Sequence, residues 1–145
     1  MTQVDFYILA AQTPEERAVF ACRLAEKAFG RGNQILIQTD DETSARYLDD
    51  LLWTYREESF LPHALLGDSK APADCPVSIG WHTDPGHHHD VILNLSSKLP
   101  DFFSRFQRCI NIVIQQDQVL DYTRSHYKYL KDRGYPINNH DMRLG

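Results

Sequence analysis

Imidazoles and carboxylates crowd one short stretch of the chain: His82, Asp84, His87, His88, His89 and Asp90, with Pro85-Gly86 among them. Both groups ligate metals, so metal binding is the first chemistry to weigh. The spacing opposes it. Consecutive residues of an extended segment point to opposite sides, and neither an H-E-x-x-H pair nor a cysteine partner completes a tetrahedral set. A solvated loop is expected there, with no metal and no cofactor. Covalent catalysis fares no better: the chain has no G-x-S-x-G elbow, and its serines, histidines and aspartates show no triad spacing. Cys22, Cys75 and Cys109 are odd in number and far apart. They read as small buried groups in a reducing cytoplasm, not as a disulfide framework or zinc site. Phosphate chemistry is also missing. The one G-x-G, Gly30-Arg31-Gly32, falls between a helix and a strand, the reverse of the order that aims amides at a pyrophosphate. Gly67-Asp68-Ser69-Lys70 has no strand before it and no helix after it, and reads as a turn. No residue is assigned to catalysis.

Two other groups of residues suit binding. Arg124, Lys128 and Lys131 recur at i, i+4 and i+7 on a helical pattern, which sets three cations in one stripe beside Tyr127. A charged stripe is most often a solvated face. With Tyr127 and Val113 as apolar neighbours, it also has what an acidic peptide with a hydrophobic anchor requires. The second group is Leu51-Leu52-Trp53 followed by Ser59-Phe60-Leu61-Pro62-His63, aromatic and aliphatic residues on a Pro-rich connection. Loops run over the surface, so this patch is either an association site or a loop that folds back to fill its own core.

Charge sorts the partners. The net charge of −5 opposes a general affinity for nucleic acid, although residues 122–133 hold Arg124, Lys128, Lys131 and Arg133 against the single acid Asp132. Direct binding of single strands would need a groove with several stacking aromatics, and nucleic acid is expected only as an indirect partner. No run of 18 apolar residues is present, which argues against a membrane span.

The elements that must position these residues follow an α/β alternation. With 145 residues, 42% hydrophobic and 24% charged, one domain over 1–145 is expected. An apolar strand at 6–10 precedes Thr13-Pro14-Glu15-Glu16, which supplies an N-cap, a proline at the first helical position and a capping-box glutamate. Phe20, Ala21, Leu24, Ala25 and Ala28 form the inward side of that helix, with Gly30 as its left-handed cap. A strand at 34–38 leads to a helix capped by Asp40 or Asp41 that ends near Trp53. The long connection 54–76 precedes strands at 77–81, 91–95 and 110–114. A helix over 99–108 would gather Phe102, Phe103 and Phe106, and a last helix, 116–131, is closed by Gly134 and Pro136. The expected fold is a three-layer α/β/α domain with a mostly parallel sheet, Rossmann-like but without a phosphate-binding loop.

The order of these segments resembles the chi subunit of bacterial DNA polymerase III. The resemblance rests on Phe6-Tyr7-Ile8-Leu9, Ile35-Leu36-Ile37, Leu52-Trp53 with Ser59-Phe60-Leu61-Pro62-His63, the 76–81 strand, Asp90-Val91-Ile92-Leu93, and Arg124 with Tyr127-Lys128. It implies a non-catalytic accessory protein of the clamp-loader assembly in the cytoplasm. By this resemblance Trp53, Phe60, Pro62 and His63 would hold the psi subunit, and a related helicase can occupy the same surface. Val113, Arg124, Tyr127 and Lys128 would hold the acidic C-terminal tail of single-stranded-DNA-binding protein. Leu120 stands where some relatives have a lysine, and the loop at His87-His88-His89 has no counterpart. A divergent nucleotide-binding enzyme and a direct single-stranded-DNA binder are the alternatives.

Overall fold

Seven strands form one sheet in the order β3-β4-β2-β5-β6-β1-β7, and every neighbouring pair runs parallel. The computed structural model describes residues 1–54, 61–67, 75–86 and 89–144. In chain order the elements are β1 (Gln3–Ile8), α1 (Pro14–Gly30), β2 (Ile35–Gln38), α2 (Glu42–Thr54), β3 (His63–Leu65), β4 (Val77–Gly80), β5 (Val91–Asn94), a 3-10 turn (Asp101–Arg105), β6 (Arg108–Val113), α3 (Asp117–Asp132) and β7 (Ile137–Asp141).

Parallel strands cannot be joined by tight hairpins, so the crossovers leave helices on both faces. Alternate residues of each strand point to opposite sides, and two apolar clusters result. On one face Ile35, Ile37, Val77, Ile79, Val91 and Leu93 pack under Ala18, Cys22 and Ala25 of α1 and Ala45, Leu48 and Leu52 of α2. On the other, Val4, Phe6, Leu36 and Ile92 meet Val119 and Leu130 of α3, with Phe103 and Phe106. The three-layer α/β/α arrangement expected from the alternation is therefore present, with an all-parallel sheet.

Helix starts follow the predicted chemistry. Thr13 Oγ1 accepts the Glu16 amide at 3.2 Å and its hydroxyl donates to Glu16 Oε1 at 2.8 Å, the reciprocal capping box, with Pro14 in the first turn. Of the two aspartates offered for α2, Asp41 is the cap: its Oδ1 accepts the Ser44 amide at 2.8 Å. Gly30 is not the left-handed residue after α1. The helix runs through it, Arg31 closes the helix, and Gly32 takes the positive φ of 84°.

Other boundaries differ for physical reasons. The 99–108 segment makes only a 3-10 turn, because the chain must reach β6 at Arg108 and the cap amide of Phe106 already bonds the Phe103 carbonyl. β1 lies earlier than the apolar run suggested and contains Asp5, 1% exposed. A buried carboxylate is costly unless paired. Here Arg108 donates Nε and Nη2 to Asp5 Oδ2 at 3.1 and 2.8 Å, and His140 Nε2 lies 2.9 Å from Oδ1. That network joins β1 to its neighbours β6 and β7. β3 and β7 were not predicted as strands; one is a three-residue edge inside the long connection, the other the polar sequence Ile-Asn-Asn-His-Asp.

Candidate functional site

In open parallel sheets, ligands collect outside the carboxyl ends of the strands, so that rim is the place to look first. A cleft of about 320 Å³ opens there between the N-termini of α1 and α2, lined by Glu15, Arg17, Thr39, Asp40, Thr43 and Ser44 among others. A phosphate would need free amides and positive charge. The Glu16 and Ser44 amides are taken by the two caps, and Ser44 through its amide and its hydroxyl holds the Asp41 carboxyl below the usual range. Arg17, the cation among the described lining residues, spends Nε on the Ile112 carbonyl at 2.8 Å and Nη1 on the Leu95 carbonyl at 3.1 Å, and burial lowers its pKa. Glu15 and Asp40 bring carboxylates to the same rim. This rim thus carries capped helix ends, an arginine committed to backbone carbonyls and two carboxylates.

A second cleft, about 490 Å³, lies where β1, β6 and β7 meet α3. Its floor is apolar: Phe6 and Ile8 from β1, Val113 at the end of β6, and Leu120 and Tyr127 from α3. Its rim is charged, with Arg124 and Lys128 from α3 and Asp141 and Arg143 from the end of β7 and the residues after it. Val113, Arg124, Tyr127 and Lys128, singled out from the sequence, thus line one cavity. Helical spacing explains the α3 members, since residues 120, 124, 127 and 128 share a face. Val113 joins them because the chain leaves β6 directly beneath that face. Lys131, the third cation of the stripe, does not line the cleft.

The Tyr127 ring is fixed from two sides. It packs on Phe6 at 5.3 Å between centroids with a 54° tilt, and its hydroxyl accepts from Asn139 Nδ2 at 3.3 Å. Gln115 Nε2 donates to the Leu9 carbonyl at 3.0 Å and ties the loop after β6 to β1. The rim is softer, because Arg124, Lys128, Asp141 and Arg143 are solvent-exposed. Phe6, Ile8, Leu120, Asn139, Asp141 and Arg143 were not assigned to this site from the sequence. Leu120 was legible as a helical neighbour of Arg124, whereas the β7 contribution depends on a strand that polar residues concealed.

The other predicted surface lies at the opposite edge of the sheet. Trp53, in the last turn of α2, is 54% exposed. Leu61 turns inward and is 2% exposed, packed with the core under α1 and α2. The fold-back reading holds for Leu61, which fills the core, while the indole of Trp53 stays exposed. Pro62 is half-buried. The His63 side chain is fully buried, 0% exposed, and its ring lies 4.5 Å from that of Trp53 at a 58° tilt. Nδ1 faces the Leu61 carbonyl at 2.6 Å, and Nε2 faces the Asp49 carbonyl at 3.1 Å and its carboxylate at 3.4 Å. Phe60 lies outside the described residues.

The remaining candidates have structural partners. Asp84 forms a fork with Arg105 at 2.7 and 3.0 Å, and that hydrogen-bonded arginine, together with the Gly86 amide, holds its carboxyl below the usual range. Asp90 Oδ2 accepts the Gln34 amide at 2.7 Å. Among the described residues no three His, Cys, Asp or Glu side chains gather to hold a metal; His87 and His88 lie outside them. Leu66 and Gly67 form a turn, with Gly67 at φ 90°, and 68–70 also lie outside the described residues. Cys22, Cys75 and Cys109 are buried free thiols, and burial pushes Cys22 and Cys109 up to about 12, far from the thiolate a nucleophile needs. No helix among the described residues is long and apolar enough to cross a membrane.

A helix-flanked, all-parallel seven-stranded sheet with an apolar cleft at one edge and an exposed tryptophan at the other defines a protein of the Rossmann-like α/β class. Residues 1–138 match the family described as DNA polymerase III chi subunit, HolC. The chain is 36% identical to DNA polymerase III subunit chi of Pseudomonas aeruginosa, over 98% of both chains. It is 29% identical to the Escherichia coli K12 subunit chi, covering 95% of this chain and 97% of that one. The subunit chi of Haemophilus influenzae is 28% identical, over 95% and 96% respectively. The chain belongs to the DNA polymerase III chi subunit family.

Proposed function

We propose that this protein is a non-catalytic accessory subunit of the DNA polymerase III clamp-loader assembly. It would bridge the psi subunit to the acidic C-terminal tail of single-stranded-DNA-binding protein during replication in the cytoplasm. The observation that carries the tail half of this reading is the convergence of Val113, Arg124, Tyr127 and Lys128 on one cleft with an apolar floor and a cationic rim. An acidic peptide ending in an aromatic side chain needs both: a pocket that takes the ring out of water, and cations placed for the carboxylates. The protein carries a net charge of −5, so the attraction is local and short-ranged, set by these side chains.

The psi half rests on Trp53, an exposed aromatic of the kind that anchors interfaces, with Phe60 and Pro62 on the adjoining segment. With its ring buried, His63 would serve this surface from beneath, supporting Trp53 and the start of β3 against α2. A helicase could use the same face in place of psi. The two surfaces sit at opposite edges of a seven-stranded sheet, roughly 29 Å apart at about 4.8 Å per strand spacing. One chain can then hold both partners at once.

The decisive experiment pairs two measurements on the same protein. A labelled acidic, Phe-ended peptide is titrated into wild type, Arg124→Ala and Trp53→Ala, and each is tested for copurification with psi. Loss of peptide binding only in Arg124→Ala, and of psi only in Trp53→Ala, is the expected pattern. Equal peptide affinity for wild type and Arg124→Ala would remove the tail site, and psi retained by Trp53→Ala would remove the other.

A further inference from the structure

If the second cleft takes an acidic peptide, the reading on which this inference rests, the pairing of its cations in the free chain matters. Lys128 has no ion-pair partner among the described residues, but the two arginines already hold carboxylates of their own chain. Arg143 donates Nε to Asp141 Oδ1 at 2.9 Å and Nη2 to Oδ2 at 2.7 Å, a bidentate fork, while its backbone amide reaches Oδ1 at 3.0 Å. Arg124 Nη1 donates to Asp121 Oδ1 at 3.2 Å.

We propose that Arg143 is a third cation of the peptide site, and that Asp121 and Asp141 are built-in competitors which an incoming carboxylate must displace. The Asp141–Arg143 fork is the arrangement in which an arginine would receive a peptide carboxylate, and both residues line the cleft. The intramolecular pairs are solvated: the side chains are 50% and 46% exposed in one and 73% and 78% in the other. Solvated pairs are weak, so a ligand can break them, yet each one broken subtracts from its affinity. Until displaced, the two aspartates also repel acidic ligands. A peptide with one carboxylate gains little from such a rim, whereas one with several carboxylates near its end replaces both aspartates, which makes the rim a filter for strongly acidic tails.

The test is an anisotropy titration of the labelled acidic, Phe-ended peptide against the full chain at low salt. Asp141→Asn and Asp121→Asn remove charge but keep shape, and in the first of them the new side-chain amide oxygen can still accept the Arg143 backbone amide. Each should bind about two- to fivefold more tightly than wild type, the range that solvent-exposed pairs allow. Asp101→Asn, on the 3-10 turn, controls for the loss of one negative charge anywhere and should bind as wild type. Arg143→Gln should weaken binding by about the same factor, and in that background Asp141→Asn should give a smaller gain than it does alone. Asn variants that bind no better than Asp101→Asn, or Arg143→Gln that binds as wild type, would overturn the competition while the cleft reading survives. No binding by the wild type and the variants alike would sink the cleft reading and this inference with it.

Discussion

The β3 edge and the β7 edge of this sheet present apolar groups to solvent in opposite ways. At the β7 edge the apolar surface is recessed: Phe6 and Val113 are buried, Tyr127 is half-buried, and the charges stand around them on flexible side chains. At the β3 edge the apolar group projects: Trp53 is exposed, and the His63 ring that packs on it is buried beneath. On the proposed function, the recess would take a ligand that can insert an end, and Arg124, Lys128 and Arg143 would favour an acidic one. A projecting indole on a helix end suits a partner with a pocket of its own. The difference teaches that the two faces should respond to different perturbations.

The strongest way to break the contrast is to remove its supports. Phe6→Ala deletes the ring under Tyr127 and should cost about 3–5 kcal/mol of stability, and Leu52→Ala beneath the Trp53 edge about 2–5, both read from denaturant midpoints. Equal loss of both binding activities in either variant would mean that the edges are one cooperative unit without local character. Next in size, Arg124→Ala should weaken the tail peptide at least tenfold, about 1.4 kcal/mol, with psi copurification unchanged. Trp53→Ala should do the reverse, abolishing psi copurification while stability moves by no more than about 0.5 kcal/mol, as expected for an exposed side chain.

Salt sharpens the comparison further. Peptide affinity should fall steadily as ionic strength rises while psi binding changes less, because Arg124, Lys128, Asp141 and Arg143 line the recessed cleft whereas the proposed psi anchor is an uncharged indole. A psi complex that weakens as steeply would refute the assignment of electrostatics to one edge. The smallest effect concerns Asp141, whose carboxyl the Arg143 side-chain and amide hydrogen bonds hold down to about 2. A depressed carboxyl pKa contributes stability above the unfolded-state value near 3.9 and loses it as pH falls toward 2. Carboxyl NMR should place the Asp141 midpoint near 2 in the free chain and return it toward about 3.9 in Arg143→Gln. A midpoint unchanged by that substitution would show that the fork is absent in solution.

Local chemistry was legible wherever it was complete within a few residues. The capping box Thr13 to Glu16 set the start of α1, and the i, i+4 spacing of Arg124 and Lys128 placed both on the cleft. Tyr127 and Val113, read from the sequence as the apolar neighbours of that pair, line the same cavity. Segments whose meaning lies elsewhere in the chain were illegible. Ile137-Asn138-Asn139-His140-Asp141 has the composition of a loop and is a strand because β1 offers it a free edge and Asp5 lies within reach of His140. Missing β7 meant missing Asn139, Asp141 and Arg143 at the cleft. Gly30 was misplaced by two residues because the last turn of α1 tolerates glycine while the reversal itself falls at Gly32. The buried ring of His63 could not be inferred either, since a histidine after proline in a polar loop gives no hint that Asp49 will cover it.

The Asp5–His140 contact spans 135 residues of sequence, and the strand it secures forms one wall of the cleft. During synthesis, residues of β1 must wait for the long stretch of chain between Asp5 and His140 before they gain this neighbour. The Trp53 edge has no such delay, since α2, β3 and β4 are close in sequence. A nascent polypeptide could thus complete its tryptophan face early, while the apolar cleft would lack its β7 wall until Asn139 and Asp141 had been made.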